Sequence, residues 1–406
     1  MIMLSKKKIL ILCQYFYPEY VSSATLPTQM AEDLMKKGLD IDVMCGWPYE
    51  YSKQRRVKKR ESYYGIHIER LKYTQLNSKS KIGRIVNFFS LFVSFMMKMP
   101  KMLKYDEILV YSNPPILPLI PDVLYRLFGK PYSFVVYDIA PDNALKTGAT
   151  RPGSLIDRLM KYINKHVYQH ARHVIVLGTE MKQYLLNHNI APKSRAQNIQ
   201  VIPNWYDPQN LSDERVYNSE FKSLRERYDK ILLYSGNMGQ LQDMETLIDF
   251  VKLQQEDDKT LTIFCGHGKK QQFVKEAVQQ HDLKHVRVYD FLTGTDYADV
   301  LKIADACFAS LVPEGVGLGV PSKNYGYLAA KKPLILIMDK QSDIVRHVED
   351  YQAGIQVDNG YAQAIATFIN QHSKEALAEM GQQAYRLFEA EYTRQKQTDR
   401  YFELLK

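Results

Sequence analysis

The most informative stretch of the sequence is GVGLGVPSKNYGYLAAKKP, residues 315–333. It contains a glycine-rich loop, the triplet Pro-Ser-Lys and a short helical pattern that ends at Pro333. Glycines let a backbone approach a ligand closely, and the first turn of a helix attracts anions. The stretch matches neither the P-loop nor the GxGxxG pattern. It predicts a turn that binds a polyphosphate beside a strand of an α/β sheet.

Short apolar runs alternate with helical patterns along the whole chain. These runs are rich in Val, Ile and Leu, which is typical of parallel strands buried on both faces. They lie at 7–15, 40–46, 65–71, 107–112, 131–138, 173–178, 199–203, 231–236, 261–266, 285–291, 305–311, 333–338 and 354–357. Between them lie amphipathic segments, one of which predicts a helix that starts at Thr25 and stops at Gly38. The alternation predicts βαβ units throughout.

A polar, turn-rich segment at 204–220 interrupts this alternation. We therefore expect two doubly wound parallel-sheet domains, residues 1–204 and 205–388, with a linker near 204–216. A last helical pattern at 389–406 is expected to pack back on the first domain. Because ligands of open α/β sheets bind beyond the carboxyl ends of the strands, two facing domains would hold one ligand in the cleft between them.

The composition limits the functional class. The chain has 406 residues, 45% apolar and 24% charged, as expected for a soluble globular protein. A net charge of +9 favours an acidic partner, but the basic run lacks the interleaved aromatic residues of a nucleic-acid site. The four cysteines have no metal-ligand spacing and predict buried, reduced thiols in a cytosolic protein. No metal-binding motif and no GxSxG nucleophile elbow is present.

Two segments could face a membrane. Residues 81–106 contain an uncharged core of only thirteen residues, Ile85 to Met97, which is too short to span a bilayer. Two interpretations stay open: a helix packed on the sheet, or an interfacial helix on anionic lipid through residues 81–104. The basic run at 53–61 is interpreted as a solvated loop or as an addition to the lipid surface. Flotation with anionic liposomes, of wild type and after Phe88 and Phe92 are replaced with Asp, tests the lipid interpretation, which an absence of salt-sensitive co-flotation would contradict.

Eight stretches together resemble family 4 of the retaining GT-B glycosyltransferases, in the branch for capsule, exopolysaccharide or O-antigen assembly. In chain order they read QYFYPE, SNPP, VVYDIAPD, HVIVLGTEM, VIPNW, LLYSGNMG, FCGHG and VPSKNYGYLAAKKPLI. The resemblance implies two Rossmann-like domains, of which 1–204 faces the acceptor and 205–388 binds a nucleotide-sugar. It also implies transfer from that donor, with UDP as the expected nucleotide, to a lipid-linked saccharide or similar acceptor. The resemblance further implies retention at the anomeric carbon, with no metal and no cofactor. It implies a protein in the cytoplasm or bound peripherally to the inner face of the plasma membrane.

The same resemblance assigns roles to individual residues. It implies that Asp138 positions the sugar or handles a proton, and that Lys323 stabilises the leaving diphosphate. The expected donor-binding residues are Ser22, Ser23, Gly236, Asn237, Gly239, Gln242, His267, Gly268, Glu314, Gly319, Pro321, Ser322 and Lys323.

The sequence also departs from the family pattern. Asn237 and Gln242 stand where many members carry Arg and Lys, and Gly326 stands where the family has a ribose-binding Glu. Glu314 fills the slot of the preceding Glu only if the intervening loop is longer. These losses keep a second hypothesis open, a non-catalytic partner subunit of another glycosyltransferase. A nucleotide-sugar epimerase on the same architecture is the third.

Overall fold

The computed structural model describes residues 6–49, 52, 56–77, 80–211 and 213–406. The chain divides into two compact units. The first unit comprises Met1–Asn204, Gly317–Val320 and Arg394–Lys406, and the second comprises Trp205–Val316 and Pro321–Thr393. Two doubly wound α/β units confirm the predicted fold class.

The strands are β1 (Lys8–Cys13), β2 (Asp40–Gly46), β3 (Arg60–Tyr63), β4 (Ile66–Leu71), β5 (Glu107–Tyr111), β6 (Tyr132–Val136), β7 (His173–Val176), β8 (Ile199–Val201), β9 (Lys230–Asn237), β10 (Thr260–His267), β11 (Val286–Tyr289), β12 (Ala306–Ser310), β13 (Leu334–Ile337) and β14 (Gly354–Val357). The helices are α1 (Ser22–Lys36), α2 (Lys81–Met96), α3 (Met99–Met102), α4 (Leu119–Phe128), α5 (Asp142–Lys146), α6 (Leu155–His170), α7 (Thr179–Asn187), α8 (Ser219–Arg227), α9 (Glu245–Leu253), α10 (Gln271–Gln280), α11 (Gly294–Ile303), α12 (Lys323–Ala329), α13 (Asp343–Asp350), α14 (Ala362–Gln371), α15 (Lys374–Glu391) and α16 (Arg394–Leu405).

The first unit is built on an eight-stranded sheet in the order β3-β4-β2-β1-β5-β6-β7-β8. All its pairs are parallel except β3 with β4. Buried residues of α2, α4 and α6 pack with the same strand residues in one core cluster, so these three helices cover one face of the sheet. Arg394 of α16 hydrogen-bonds Glu32 and Asp33 of α1.

The second unit is built on a six-stranded parallel sheet in the order β11-β10-β9-β12-β13-β14. From β9, the strands β10 and β11 extend the sheet on one side, and β12, β13 and β14 extend it on the other. The strand order therefore reverses at β9, which is the position where an open α/β sheet forms its ligand crevice. None of the described helices combines the length and apolarity needed to cross a bilayer.

Each of the thirteen apolar runs overlaps one of these strands, but three local expectations were wrong. Helix α1 begins at Ser22 rather than Thr25. Residues Arg60–Tyr63 at the end of the basic run form an antiparallel edge strand, because their backbone pairs with β4. The rest of that run is described only from Arg56 onward, so Lys53, Gln54 and Arg55 lie outside the described residues. The last helix begins at Arg394 rather than 389, because α15 continues to Glu391.

Candidate functional site

A crevice opens in the second unit between β9 and β12. The two strands pair only at Ala306–Leu232 and Cys307–Leu233. Beyond that point the hydroxyl of Tyr327 takes the place of a neighbouring strand at Ser235. It donates to the Ser235 carbonyl oxygen at 3.0 Å and accepts from the Ser235 N–H at 2.8 Å. Because it satisfies both backbone groups, the strands can part without leaving buried polar groups unpaired.

Lys323 reaches into this crevice. It is the first residue of α12, one helical turn before Tyr327, so both side chains lie on one side of the helix. Its Nζ atom is buried and has no hydrogen-bond partner among the described residues. It lies 3.6 Å from the ring centroid of Tyr234, whose π face offsets part of the charge. Burial lowers the pKa of Lys323 to about 7.

Glycines bring the backbone of β9 next to this ammonium. A Cβ atom at Gly236 would lie 3.5 Å from Lys323 Cε and 3.7 Å from Nζ. Gly236 has a φ of 116° and Gly268 a φ of 133°, conformations that favour glycine. A side chain at Gly268 would also meet the Met238 carbonyl oxygen at 2.5 Å. The floor beside Lys323 is therefore bare backbone, which a bulky anion can approach.

The turn that follows β9 is held by its own side chains. Gln242 Oε1 accepts from the Gly239 N–H at 2.9 Å, so this amide closes the turn. Asn237 is exposed at the end of β9 and pairs in register with His267 of β10. The pKa of His267 is lowered by burial and, to a lesser extent, by Lys323. His267 therefore lies within electrostatic range of Lys323 and is biased toward its neutral form.

Seven of the predicted donor-binding residues thus meet at the carboxyl ends of β9 and β10. They are Gly236, Asn237, Gly239, Gln242, His267, Gly268 and Lys323. Glu314 is exposed in the short 3₁₀ helix Pro313–Gly315. Ser322 precedes α12 but caps no N–H with its side chain. The donor roles of Glu314, Pro321 and Ser322 stay predictions.

Gly326, the position of the missing family Glu, is closely packed by two aromatic side chains. A Cβ atom there would lie 3.3 Å from the Tyr206 ring and 3.4 Å from the Tyr297 hydroxyl. Two tyrosines of the second unit would therefore have to shift slightly for any side chain at this position. Any contact with a ribose in this chain has to come from other groups.

In the first unit, Asp138 lies just beyond β6. Its Oδ1 accepts from Asn143 Nδ2 at 3.0 Å, and Ser112 Oγ accepts from the Tyr137 N–H at 3.0 Å. The protein packed around Asp138 displaces water and raises the pKa of its carboxyl group, while Asn143 opposes that rise. The side chain nevertheless stays open to solvent. Asp138 is thus an accessible carboxylate oriented by one neighbour.

Residues 317–320 of the glycine-rich loop belong to the first unit. Leu318 is 1% exposed in the first unit's core, and its carbonyl oxygen accepts from the Ile139 N–H at 3.3 Å. Gly317 has a φ of 78° and lies against Tyr184 of α7. A Cβ atom at Gly319 would lie 3.5 Å from Asp138 Oδ1. The apolar Leu318 anchors this loop, and Gly319 leaves one side of Asp138 uncovered.

Ser22 and Ser23 also belong to the first unit. They are the first two residues of α1, and the N-cap residue, Val21, makes no side-chain hydrogen bond to the helix. Backbone N–H groups of a helix's first turn can bind an anion. The donor-binding role of Ser22 and Ser23 stays a prediction.

Sequence reasoning missed two residues of the crevice, Tyr234 and Tyr327. Tyr327 is four residues after Lys323, a spacing that puts both on one helix face, but a tyrosine there is typical of ordinary core. All four cysteines are buried, as predicted, and burial raises the pKa of Cys265 to about 11. Within the described part of the chain, no group of three or more His, Cys, Asp or Glu residues could hold a metal ion.

Comparison with known proteins gives this arrangement a family context. Residues 217–387 match the family model described as Glycosyl transferases group 1. The probable glycosyltransferase WbjE of Pseudomonas aeruginosa is 23% identical over 315 residues, covering 77% of this chain and 78% of that protein. The putative colanic acid biosynthesis glycosyl transferase WcaI of Escherichia coli K12 is 21% identical over 361 residues, covering 85% and 86%.

Solved structures resemble the whole chain. A sucrose-phosphate synthase from Thermosynechococcus elongatus has a TM-score of 0.71 at 14% identity, over 98% of both chains. HepE of Anabaena, solved in complex with UDP and glucose, has a TM-score of 0.70 at 16% identity, over 98% of this chain and 99% of that one. These likenesses show the GT-B fold. With the family match, they identify the chain as a transferase that carries a group 1 glycosyltransferase domain.

Proposed function

We propose that this transferase moves a sugar from a nucleotide-diphosphate donor to a lipid-linked saccharide or similar acceptor in cell-surface polysaccharide biosynthesis. The donor lies in the β9–β12 crevice of the second unit, with its diphosphate against Lys323. In the reaction the bond between the anomeric carbon and the β-phosphate oxygen breaks. A bond from that carbon to an acceptor hydroxyl oxygen forms, and the hydroxyl proton is transferred to the departing phosphate or to a protein carboxylate.

The observation that carries this proposal is the position of Lys323. A buried ammonium without a hydrogen-bond partner costs free energy unless an anion approaches it. The Nζ atom of Lys323 lies beside the backbone of Gly236 in the β9–β12 crevice and has no hydrogen-bond partner among the described residues. A diphosphate bound in this crevice would supply the anion. In the second unit, this is where the strand order reverses, as expected for nucleotide binding.

Lys323 is assigned the main electrostatic role. As the donor bond breaks, negative charge grows on the β-phosphate, and a preorganised cation in a low-dielectric site stabilises that charge more than water does. Desolvation keeps Lys323 close to neutrality in the absence of an anion, and a diphosphate beside it restores the protonated form. The leaving group thus creates the charge that assists its departure.

Asp138 is assigned to the sugar or to the acceptor hydroxyl. Its carboxylate is accessible and oriented by Asn143, and its raised pKa makes it a better proton acceptor than an ordinary Asp. Transfer is proposed to proceed with retention at the anomeric carbon and without a metal ion. Both features rest on the resemblance to family 4 enzymes.

The choice of UDP rests on a structural neighbour. HepE, which has the same fold, was solved with UDP and with UDP-glucose. The pathway rests on WcaI, whose name places it in colanic acid biosynthesis. The acceptor rests on the resemblance to family 4 enzymes. A lipid-linked acceptor would bring the protein to the inner face of the plasma membrane, where contact with a second glycosyltransferase is also proposed.

The experiment that tests the donor proposal is a thermal-shift screen with UDP, GDP, ADP and TDP. A ligand at 100 times its dissociation constant stabilises the folded protein by about 2.7 kcal/mol, enough for a shift of several degrees. We expect such a shift with UDP and a smaller one with the other nucleotides. No shift with any of them would refute the donor site and favour the non-catalytic partner, which should bind no nucleotide.

A further inference from the structure

Helix α2 has apolar side chains on two faces. Its inner residues Leu91, Phe92 and Phe95 are buried in the core of the first unit. An outer row, spaced by three and four residues and hence on one face, stays exposed. Its members are Ile82, Ile85, Val86, Phe89, Val93, Met96 and Met97. Three of them are very exposed: Ile82 at 74%, Phe89 at 61% and Met97 at 70%.

The fold does not need the outer row to hold α2 in place. A polar stripe on a third side of the helix is hydrogen-bonded to the segment 72–77, which has no regular secondary structure. Asn87 bonds the backbone of Leu76 through both amide atoms, at 2.9 and 2.8 Å. Ser94 Oγ donates to the Lys72 carbonyl oxygen at 2.7 Å. Inner face and polar stripe together fix the helix, which leaves the outer row without a structural role in the first unit.

The charged side chains of α2 and of the residues just after it all have one sign. Residues 81–105 contain five Lys or Arg and no Asp or Glu. Arg84 and Lys101 are exposed, and no ion-pair partner for either lies among the described residues. Lys104 is 58% exposed and 3.9 Å from Asp42, a weak pair, whereas Lys98 is bonded to Glu69. The apolar row therefore has a basic border with at least two uncompensated cations.

Neighbouring helices extend this pattern on the same face of the sheet. At the end of α4, Leu127 is 67% and Phe128 59% exposed, and Lys130 hydrogen-bonds the backbone of Tyr105. On α6, Leu155 is 85% and Tyr162 51% exposed. Because α2, α4 and α6 share one core cluster, their outer sides point away from the same face of the sheet.

We propose that the outer row of α2, with its basic border, docks the protein on an anionic lipid bilayer. The helix has sixteen residues, fewer than the roughly 20 needed to span a bilayer, so it lies in the interface. Interfacial helices bury large apolar side chains about 5–10 Å into the headgroup region, while Lys and Arg contact anionic lipids. A protein partner would be expected to meet some acidic residues on this side, and residues 81–105 provide none.

The test is vesicle flotation of the full chain. We expect the protein to float with phosphatidylcholine vesicles containing about 30% phosphatidylglycerol, and not with pure phosphatidylcholine. Raising the salt concentration from about 0.1 M to about 0.5 M should weaken binding, because it screens the basic border. The double variant Ile82→Asp/Phe89→Asp should lower the floating fraction about 5-fold or more.

The control is Leu253→Asp/Tyr361→Asp in the second unit, whose side chains are 51% and 66% exposed. It should float like wild type, and circular dichroism should show both variants folded. Phe88 and Phe92 are unsuitable for this test, because Phe92 is 8% exposed and Phe88 half-buried.

Three outcomes would overturn the proposal. The first is no flotation of the folded wild type with anionic vesicles. The second is flotation that the α2 variant leaves unchanged, which would mean electrostatic adsorption without insertion. The third is a wild-type dimer in light scattering that the α2 variant dissociates, without vesicle binding, which would assign the row to a second copy of the chain. None of these measurements depends on transferase activity.

Discussion

Lys323 combines a buried ammonium with a position beside bare backbone, and two kinds of measurement can separate its effects. Its burial lowers the free energy of unfolding, since burial favours loss of a proton that the unfolded chain keeps. For donor binding it is the cation that receives the diphosphate. A residue that only filled the core would not have opposite effects on stability and on binding.

The stability effect has a definite sign. The pKa of Lys323 is about 7 in the folded protein and 10.5 for an ordinary lysine of the unfolded chain, which therefore binds more protons between these values. Wild-type stability should rise with pH from 7 toward 10.5, by at most about 1.4 kcal/mol per pH unit from this group. Lys323→Met removes that dependence and should be more stable than wild type at pH 8, by on the order of 1 kcal/mol. Urea denaturation at several pH values measures both effects.

Lys332 provides the matched control. Its pKa is also lowered by burial, but its Nζ atom donates to the carbonyl oxygens of Lys302 at 3.0 Å and Ala304 at 2.6 Å. Lys332→Met leaves those two acceptors unpaired and should destabilise the protein by about 1–3 kcal/mol. If Lys323→Met destabilised it equally, the view of Lys323 as an unpaired cation would be wrong.

Asp138 should matter for turnover and not for nucleotide affinity. Asp138→Asn keeps the size of the side chain and its neighbour Asn143 but removes the charge. We expect turnover to fall about 10²-fold or more, the range for a positioned acid or base, with the UDP dissociation constant changed less than about 2-fold. Steady-state kinetics and calorimetry on the same preparation separate the two quantities.

The pH profile adds a second readout for Asp138. Its pKa is raised, so the active carboxylate is lost as pH falls through a value above that of an ordinary Asp. Because Asn143 holds the pKa down, Asn143→Ala should move the acid limb of the turnover profile to higher pH. An unchanged acid limb in Asn143→Ala would remove Asp138 from the reaction.

At the scale of elements, the decisive feature is the parting of β9 and β12. Parallel strands seldom separate inside a sheet without a substitute for the lost hydrogen bonds, and the Tyr327 hydroxyl is that substitute. Helix α12 thus holds the crevice open with Tyr327 and fills it with Lys323. The same turn of α12 therefore keeps the two strands apart through Tyr327 and places the Lys323 ammonium between them.

Tyr327→Phe tests this coupling. The change leaves the N–H and carbonyl group of Ser235 buried without their partner, at a cost of roughly 1–3 kcal/mol in the free energy of unfolding. The control is Tyr228→Phe, which is equally buried but whose hydroxyl lies 3.4 Å from His285 Nδ1, a much weaker bond. Urea denaturation should show a clear loss for the first variant and little for the second. Equal losses would mean that the Tyr327 bridge adds nothing.

Over the whole molecule, the sequence predicts the layers better than the loops. Runs such as 40–46 and 354–357 became β2 and β14 with the predicted bounds, although β14 is a partly exposed edge strand. Edge strand β3 was missed because an exposed edge tolerates the charges of RESY. Helix α1 was started three residues late because proline is typical of the first turn of a helix, whereas Pro27 is the sixth residue of α1.

The candidate site was predicted only in part. Lys323 and the glycine turns could be found from the order of motifs along the chain. The position of the glycine-rich loop could not be predicted, because a sequence with Gly317 and Leu318 looks like a phosphate-binding loop. In the structure, Leu318 is part of the first unit's core. The sequence also did not decide whether α2 packs on the sheet or lies on lipid. Periodicity identifies a wide apolar face, but it does not show how much of that face other residues cover.

The most direct measurement is isothermal titration calorimetry of UDP with wild type and Lys323→Met at pH 8. The account predicts that wild type binds UDP with proton uptake, because the diphosphate raises the lowered pKa of Lys323, and that comparison of two buffers reveals this uptake. Lys323→Met should bind about 10²-fold more weakly and take up no proton. Equal UDP affinity and equal proton uptake in both proteins would contradict the assignment of the donor diphosphate to Lys323.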